Sequence, residues 1–211
     1  MGTVAAQIAN RLLEISAIKL QPKTPFTWAS GLKSPIYCDN RVLLSYPEIR
    51  TMVIDAFVEK SKVFRDFDVV AGVATAGIAH GALLAEALKK PFIYVRSKPK
   101  GHGMQNLIEG RLDSGAKVLV IEDLISTGMS SLAACNALKD AGADLVGVLA
   151  IFTYGFQQSY EAFSEAGIPM DTLSNYRNLL GEALLTNYIN QEEKDTLEAW
   201  NKDPKLWASN Q

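Results

Sequence analysis

Apolar residues at Ala5, Ile8, Ala9, Leu12, Leu13 and Ile15 share one face at helical spacing, which predicts an amphipathic helix over roughly residues 3–18. The stretch 21–41 is rich in Pro, Ser, Gly and aromatics, follows no period, and reads as irregular. Ser45-Tyr46-Pro47-Glu48 has the form of a capping box and predicts a helix running to about residue 60. From there the pattern alternates. Short apolar runs at 68–72, 92–95, 117–121 and 144–152 predict strands. Small-residue or amphipathic stretches at 77–88 and 129–141 predict helices, the second closed by Gly142. The tail from about Gly155 reads as helical and polar-amphipathic. Strand–helix alternation implies right-handed βαβ units, hence an α/β fold with a parallel sheet and helices on both faces. The expected organisation is one domain over 1–211, with a core of about 45–165 and a small extra subdomain from 1–44 and 166–211.

Composition narrows the function classes. The chain has 211 residues, 48% hydrophobic and 21% charged, which suits one globular domain. A formal charge of −2 argues against a protein that holds nucleic acid or membrane surfaces by bulk positive charge. An anionic ligand must therefore be met by a local basic cluster. Cys38 and Cys135 are far apart, no CxxC occurs, and only two histidines are present. Neither a disulfide framework nor a zinc site is suggested, and both thiols are expected to be buried and reduced. The N-terminal stretch carries Arg11 and Glu14, and no apolar run reaches membrane-spanning length. The expectation is a soluble cytoplasmic protein without nucleic-acid or membrane partners.

Ligands of open α/β sheets bind outside the carboxyl ends of the strands. Four segments fall at or near such places. The first, VLVIEDLISTGMS over 118–130, runs from a buried-type strand into adjacent acids, Glu122 and Asp123, and then a hydroxyl-rich turn. Side-by-side carboxylates repel and need a cation, a polyol or water. Backbone N–H groups of the turn, with Ser126, Thr127 and Ser130, can cradle a phosphate at a helix N-terminus. A helix cap needs one hydroxyl and accounts for neither the three nor the acid pair.

The second segment, Gly72-Val73-Ala74-Thr75-Ala76-Gly77, is another strand–turn–helix. It is not a Walker A loop, because Ile78 follows where Lys and Ser/Thr should stand, and GxGxxG is absent. A pyrophosphate contact and a plain tight connection fit it about equally. The third, RSKPKGHGMQN over 96–106, alternates Arg96, Lys98, Lys100 and His102 with Gly and Pro after a strand. A solvated loop is the usual fate of such a charge run. On an acidic chain, beside two candidate phosphate loops, the cluster suits a flap that carries charge over a site and expels water. The fourth, FTWASGLKSPIYCDNR over 26–41, could line a pocket for a planar anion or cap the core as a hairpin.

Together these segments resemble the type I phosphoribosyltransferase family, whose phosphoribosyl pyrophosphate motif matches 118–130. Segments 26–41 and 95–110 resemble the orotate-using branch of that family, and the likeness covers essentially the whole chain. The strand motif alone is shared with purine-using members and with regulators on the same fold; the base-side segments point to orotate.

The resemblance implies transfer of phosphoribose from phosphoribosyl pyrophosphate to orotate. Mg²⁺ is the implied cofactor, held mainly by the substrate and not directly by protein side chains. Glu122 and Asp123 would hold the ribose hydroxyls, with Asp123 catalytic. Leu124, Ile125, Ser126, Thr127, Gly128, Met129 and Ser130 would cradle the 5′-phosphate, Ser126 also touching orotate. Thr75 and Ala76 take the pyrophosphate-loop position. Arg96, Lys100 and His102 would neutralise the pyrophosphate from a flap shared across a homodimer, with Lys100 and His102 catalytic. The terminal segments would form the family's hood. Ala29, Ala76, Ser97 and Tyr154 stand where many members carry cations, and Lys33, Arg41 and Lys98 are the candidates to compensate.

Overall fold

Thr3 starts the first helix by accepting the Ala6 N–H on its side chain (3.3 Å). The structure, a computed structural model, describes residues 2–28, 31–98 and 107–209. Helix α1 (Val4–Glu14) buries Ile8, Ala9, Leu12 and Leu13, the face its periodicity marks. It ends earlier than the pattern predicts, because Ser16 turns to φ 57° and the chain leaves in extended form.

The described residues of segment 21–41 are more ordered than the composition suggests. Strands β1 (Ile18–Leu20), β2 (Phe26–Thr27), β3 (Lys33–Ser34) and β4 (Ile36–Cys38) form two antiparallel pairs, β1 with β4 and β2 with β3. A 3-10 helix, Asn40–Ser45, follows. The capping box at Ser45 does not form. Ser45 is consumed as the last residue of that turn, Tyr46 becomes the N-cap without a side-chain bond, and helix α2 (Pro47–Ser61) starts on Pro47, whose fixed φ suits the first helical position.

The central sheet takes β5 (Val69–Val73), β6 (Phe92–Val95), β7 (Ile108–Glu109), β8 (Lys117–Ile125), β9 (Asp144–Thr153) and β10 (Met170–Asn175). Their order is β10-β9-β8-β5-β6-β7, parallel throughout except β7. Helices α3 (Gly77–Leu88), α4 (Met129–Asp140), α5 (Gln157–Glu165), α6 (Tyr176–Leu185), α7 (Gln191–Lys202) and α8 (Pro204–Ser209) complete the chain. β10 lies in the tail expected to be wholly helical. It is a polar edge strand paired only with β9, so no apolar alternation announces it.

Strand alternation feeds two cores. Val70, Leu119, Ile121, Leu149 and Ile151 pack with α1, α2 and α3. Ala71, Val73, Val118, Val120, Val148 and Ala150 pack with α4 and α5 on the other face. Helices on both faces follow. The terminal segments join at an aromatic cluster, where Trp200 of α7 lies fully buried with ring centroids 5.7 Å from both Tyr154 and Tyr176. Trp28 stacks on Tyr154 at 5.9 Å and 21°. Burying one such side chain is worth about 1.5–3 kcal/mol, which helps hold the terminal segments against the strand ends. Among the described residues no helix is long and apolar enough to cross a membrane.

Candidate active site

The strand β8 runs four residues beyond its predicted end, and Glu122, Leu124 and Ile125 pair with Ala150, Phe152 and Thr153 of β9. Leu124 packs at the edge of one core and Ile125 lies wholly inside the other. The turn proper is therefore 126–128, with Ser126 and Thr127 half-buried and Met129 and Ser130 exposed on the first turn of α4. Gly128 sits at φ +82°, and a Cβ there would meet Phe163 at 2.9 Å, so glycine is required both for the bend and for the fit. No side-chain hydrogen bond caps α4. Its first backbone N–H groups, at the positive end of the helix dipole, remain free for an anion.

The acids are held separately. Glu122, only 5% exposed, accepts the Asp123 backbone N–H on Oε1 (3.1 Å) and the Ser131 hydroxyl on Oε2 (3.1 Å). Asp123 is fixed through its backbone carbonyl, which accepts from Asn40 Nδ2 at 2.8 Å. Burial, and then the Asp123 charge, pushes the Glu122 carboxyl well above the ordinary range. Burial also raises Asp123, with the Glu122 side chain opposing. The cause is desolvation of two neighbouring carboxylates, and the pair is biased toward holding a proton until a ligand supplies donors.

The turn between β5 and α3 comes up alongside. Thr75 is exposed at its tip, after a cis Ala74–Thr75 peptide, and α3 also starts without a side-chain cap. Gly77 is pressed against β8: a Cβ there would lie 2.5 Å from the Ile121 carbonyl oxygen and 3.4 Å from Glu122 Cα. The start of α3 and the acid-bearing end of β8 are thus backbone neighbours. Deeper in α3, His80 is fully buried, and desolvation lowers its imidazole to about 4, the Asn40 backbone opposing.

Arg96 leaves the end of β6 with its N–H donated to the Leu107 carbonyl (2.8 Å) and its guanidinium 3.5 Å from Glu109. The β6–β7 antiparallel pair, Tyr94 with Glu109 and Val95 with Ile108, closes the base of the basic segment. Lys100 and His102 lie outside the described residues, as does Ala29.

In the segment after β4, Arg41 makes a two-pronged ion pair with Asp39 (2.7 and 2.9 Å) and holds that carboxyl below its usual value. Cys38 sits by the acid pair, its thiol pushed well up by burial and then by Asp123. Cys135 is buried in the core as expected. Tyr154 is buried in the aromatic cluster, so the cation absent there is replaced by packing. Sequence reasoning missed Asn40 and Ser131. Ser131 had a signal, a hydroxyl on the inward face of α4 one turn into the helix; Asn40 had none.

A model of the phosphoribosyl transferase domain matches residues 43–162, more than half of the chain. The chain belongs to the phosphoribosyltransferase family. Among its relatives is the orotate phosphoribosyltransferase of Phocaeicola vulgatus, 53% identical over 213 residues that cover 99% of both chains. That of Listeria monocytogenes is 51% identical over 207 residues, covering 98% of this chain and 99% of its own. Among solved structures, the orotate phosphoribosyltransferase of Aeropyrum pernix superposes with a TM-score of 0.74 at 26% identity, over 87% of this chain and 99% of its own. In this phosphoribosyltransferase, 43–162 takes in the acid pair, both strand-end turns and the flap segment.

Proposed function

We propose that this chain transfers the 5-phosphoribosyl group of phosphoribosyl pyrophosphate to N1 of orotate, giving orotidine 5′-monophosphate and pyrophosphate in pyrimidine synthesis. The observation that carries this reading is 53% identity with a curated orotate phosphoribosyltransferase over 99% of the chain. The C1′–oxygen bond to pyrophosphate breaks, its electron pair leaves with the pyrophosphate, and orotate N1 bonds to C1′. The base arrives as an anion, so little general-base work is needed, and the protein mainly positions charge.

Glu122 and Asp123 accept hydrogen bonds from the ribose hydroxyls and stabilise positive charge at the sugar in the transition state. Those hydroxyl donors favour the ionised carboxylates, so sugar binding opposes the proton retention that burial imposes. Residues 126–130 seat the 5′-phosphate, helped by the uncapped start of α4, while Leu124 and Ile125, paired with β9, anchor that turn from the sheet. Thr75 and Ala76 approach the pyrophosphate. Arg96, Lys100 and His102 neutralise it as a lid, reaching into the partner's site of a homodimer.

Magnesium fits this donor set as a passenger on the diphosphate. Both Glu122 oxygens already accept from protein donors. Mg²⁺ commonly binds through one or two carboxylates plus substrate phosphates. Bound in that way it would offset diphosphate charge. The chain is proposed as one domain over 1–211, with a core of about 45–165 and a hood of 1–44 and 166–211, although Met170–Asn175 of the second hood segment pairs into the central sheet.

Loss of orotate absorbance that requires both Mg²⁺ and phosphoribosyl pyrophosphate tests the reaction. Turnover of adenine, guanine, xanthine or uracil in place of orotate would overturn the base assignment. Lys33, Arg41 and Lys98 are proposed to stand in for the absent family cations. Alanine at each raises a Michaelis constant for orotate or phosphoribosyl pyrophosphate, and unchanged constants in all three variants would reject that role.

A further inference from the structure

The carboxyl ends of β9 and β10 open into a second cavity of about 630 Å³, walled by α5, α6 and α7. None of residues 122–130 is in its described lining, so it is separate from the phosphate seat. Strand carboxyl ends are where open α/β sheets take ligands, and the volume is in the usual range for small-molecule sites.

Its charge is lopsided. Arg177, Lys194 and Lys202 line it against a single carboxylate, Glu198, on a chain whose formal net charge is −2. Glu198 is committed to Lys194 (2.8 Å). Among the described residues Arg177 and Lys202 have no carboxylate partner within salt-bridge distance. Arg177 is also in the first turn of α6, where the helix dipole opposes a cation. Nothing described in the fold repays that placement, and an anion in the cavity would. Lys194, Glu198 and Lys202 recur at helical spacing on α7, so one helix face delivers them together. Tyr160, 46% exposed, adds an aromatic surface beside the charges.

We infer that this cavity is a second ligand site, for a nucleoside monophosphate whose phosphate meets Arg177 and Lys202 and whose base lies on Tyr160. A phosphate alone would leave most of the volume and the aromatic surface unused. The inference draws on the proposed function only in using phosphoribosyl pyrophosphate to fill the reaction site.

The test is isothermal titration of the full chain with uridine 5′-monophosphate while Mg²⁺ and phosphoribosyl pyrophosphate saturate the reaction site. Wild type takes up one nucleotide per chain. Arg177→Ala with Lys202→Ala weakens that binding at least tenfold and leaves kcat and both Michaelis constants within twofold. Gly181→Leu gives an independent block, because a Cβ at Gly181 meets no atom within 4 Å and the side chain would extend into the cavity. It should abolish the same binding without loss of fold. No binding to saturated wild type, or unchanged affinity in both variants, would overturn the inference. So would equal affinity for inorganic phosphate, or a tenfold fall in turnover in the double variant. Orotate turnover by wild type is read separately, so failure of the cavity and failure of the proposed reaction remain distinguishable.

Discussion

The β5–α3 and β8–α4 turns both leave a buried parallel strand, both pass a glycine, and both start a helix with no side-chain cap. Their fixings differ. The first is placed by backbone contact, with Gly77 against the Ile121 carbonyl. The second is placed by polar bonds, Ser131 to Glu122 and Asn40 to the Asp123 carbonyl. One turn is held by shape, and shape does not titrate. The other stores unfavourable charge, since desolvation raises both carboxyls. The comparison separates scaffold from chemistry at one strand end, and substitutions can pull the two apart.

The largest expected effect is at Asp123. Asp123→Asn keeps the shape and removes a charge that burial disfavours, so thermal stability should hold or rise. Turnover should fall by roughly 10²–10³-fold, the scale for losing one electrostatic stabiliser of a transition state. Calorimetry and orotate consumption measured on the same preparation check both. Near-wild-type turnover would remove Asp123 from the reaction.

Acid separates the turns next. His80 in α3 is buried neutral, its folded value near 4 against 6.5 unfolded. The unfolded chain therefore binds more protons in that window, and His80's contribution is full above about pH 6.5 and lost as pH falls toward 4. The amount is on the order of 3 kcal/mol. The acid pair has the opposite sign. With folded values raised, its contribution is fullest below the unfolded carboxylate range and is lost as pH rises through the folded values. Urea unfolding between pH 7 and pH 4 should show a smaller loss in His80→Gln than in wild type and a larger one in Asp123→Asn. Parallel losses in all three would refute the assignment.

What the sequence disclosed follows the same division. β8 was legible because a strand buried on both faces leaves an uninterrupted apolar run, and the acids at its end then stand out. α4 was legible up to its Gly142 stop for similar reasons. β10 was not, because its edge position tolerates the polar run Met170–Asn175. β1 to β4 are two or three residues each, too short for any period. The capping signal at Ser45 misled because a 3-10 turn claimed that residue first. Asn40 lies 83 residues from the carbonyl it fixes, so only the folded chain brings them together. The charges of the site were readable; the bonds that hold them were tertiary.

Shape alone is tested at Gly77. Gly77→Ala puts a methyl 2.5 Å from the Ile121 carbonyl oxygen, a backbone atom that cannot swing aside. The clash should cost about 1–3 kcal/mol, the range for overpacking a filled interior. Urea unfolding measures it. The pH dependence of turnover should keep its wild-type midpoint, because no titrating group changes its bonds. A shifted midpoint would mean that the β5–α3 turn tunes the acids as well as placing them.

Ser131→Ala should do the reverse, and by the smallest amount. Its hydroxyl donates to Glu122 Oε2, and that bond lowers a carboxyl that burial raises. Without it the Glu122 value climbs further, so the acid limb of kcat/KM against pH should move to higher pH, by up to about one unit for a single hydrogen bond of ordinary strength. Stability near neutral pH should fall by no more than about 1–3 kcal/mol, since one acceptor loses its donor. Turnover well above the limb should stay close to wild type, because Glu122 ionises there in either protein. If the limb does not move, Glu122 is not the group whose ionisation limits the reaction, and the charge at this strand end must be assigned to Asp123 alone.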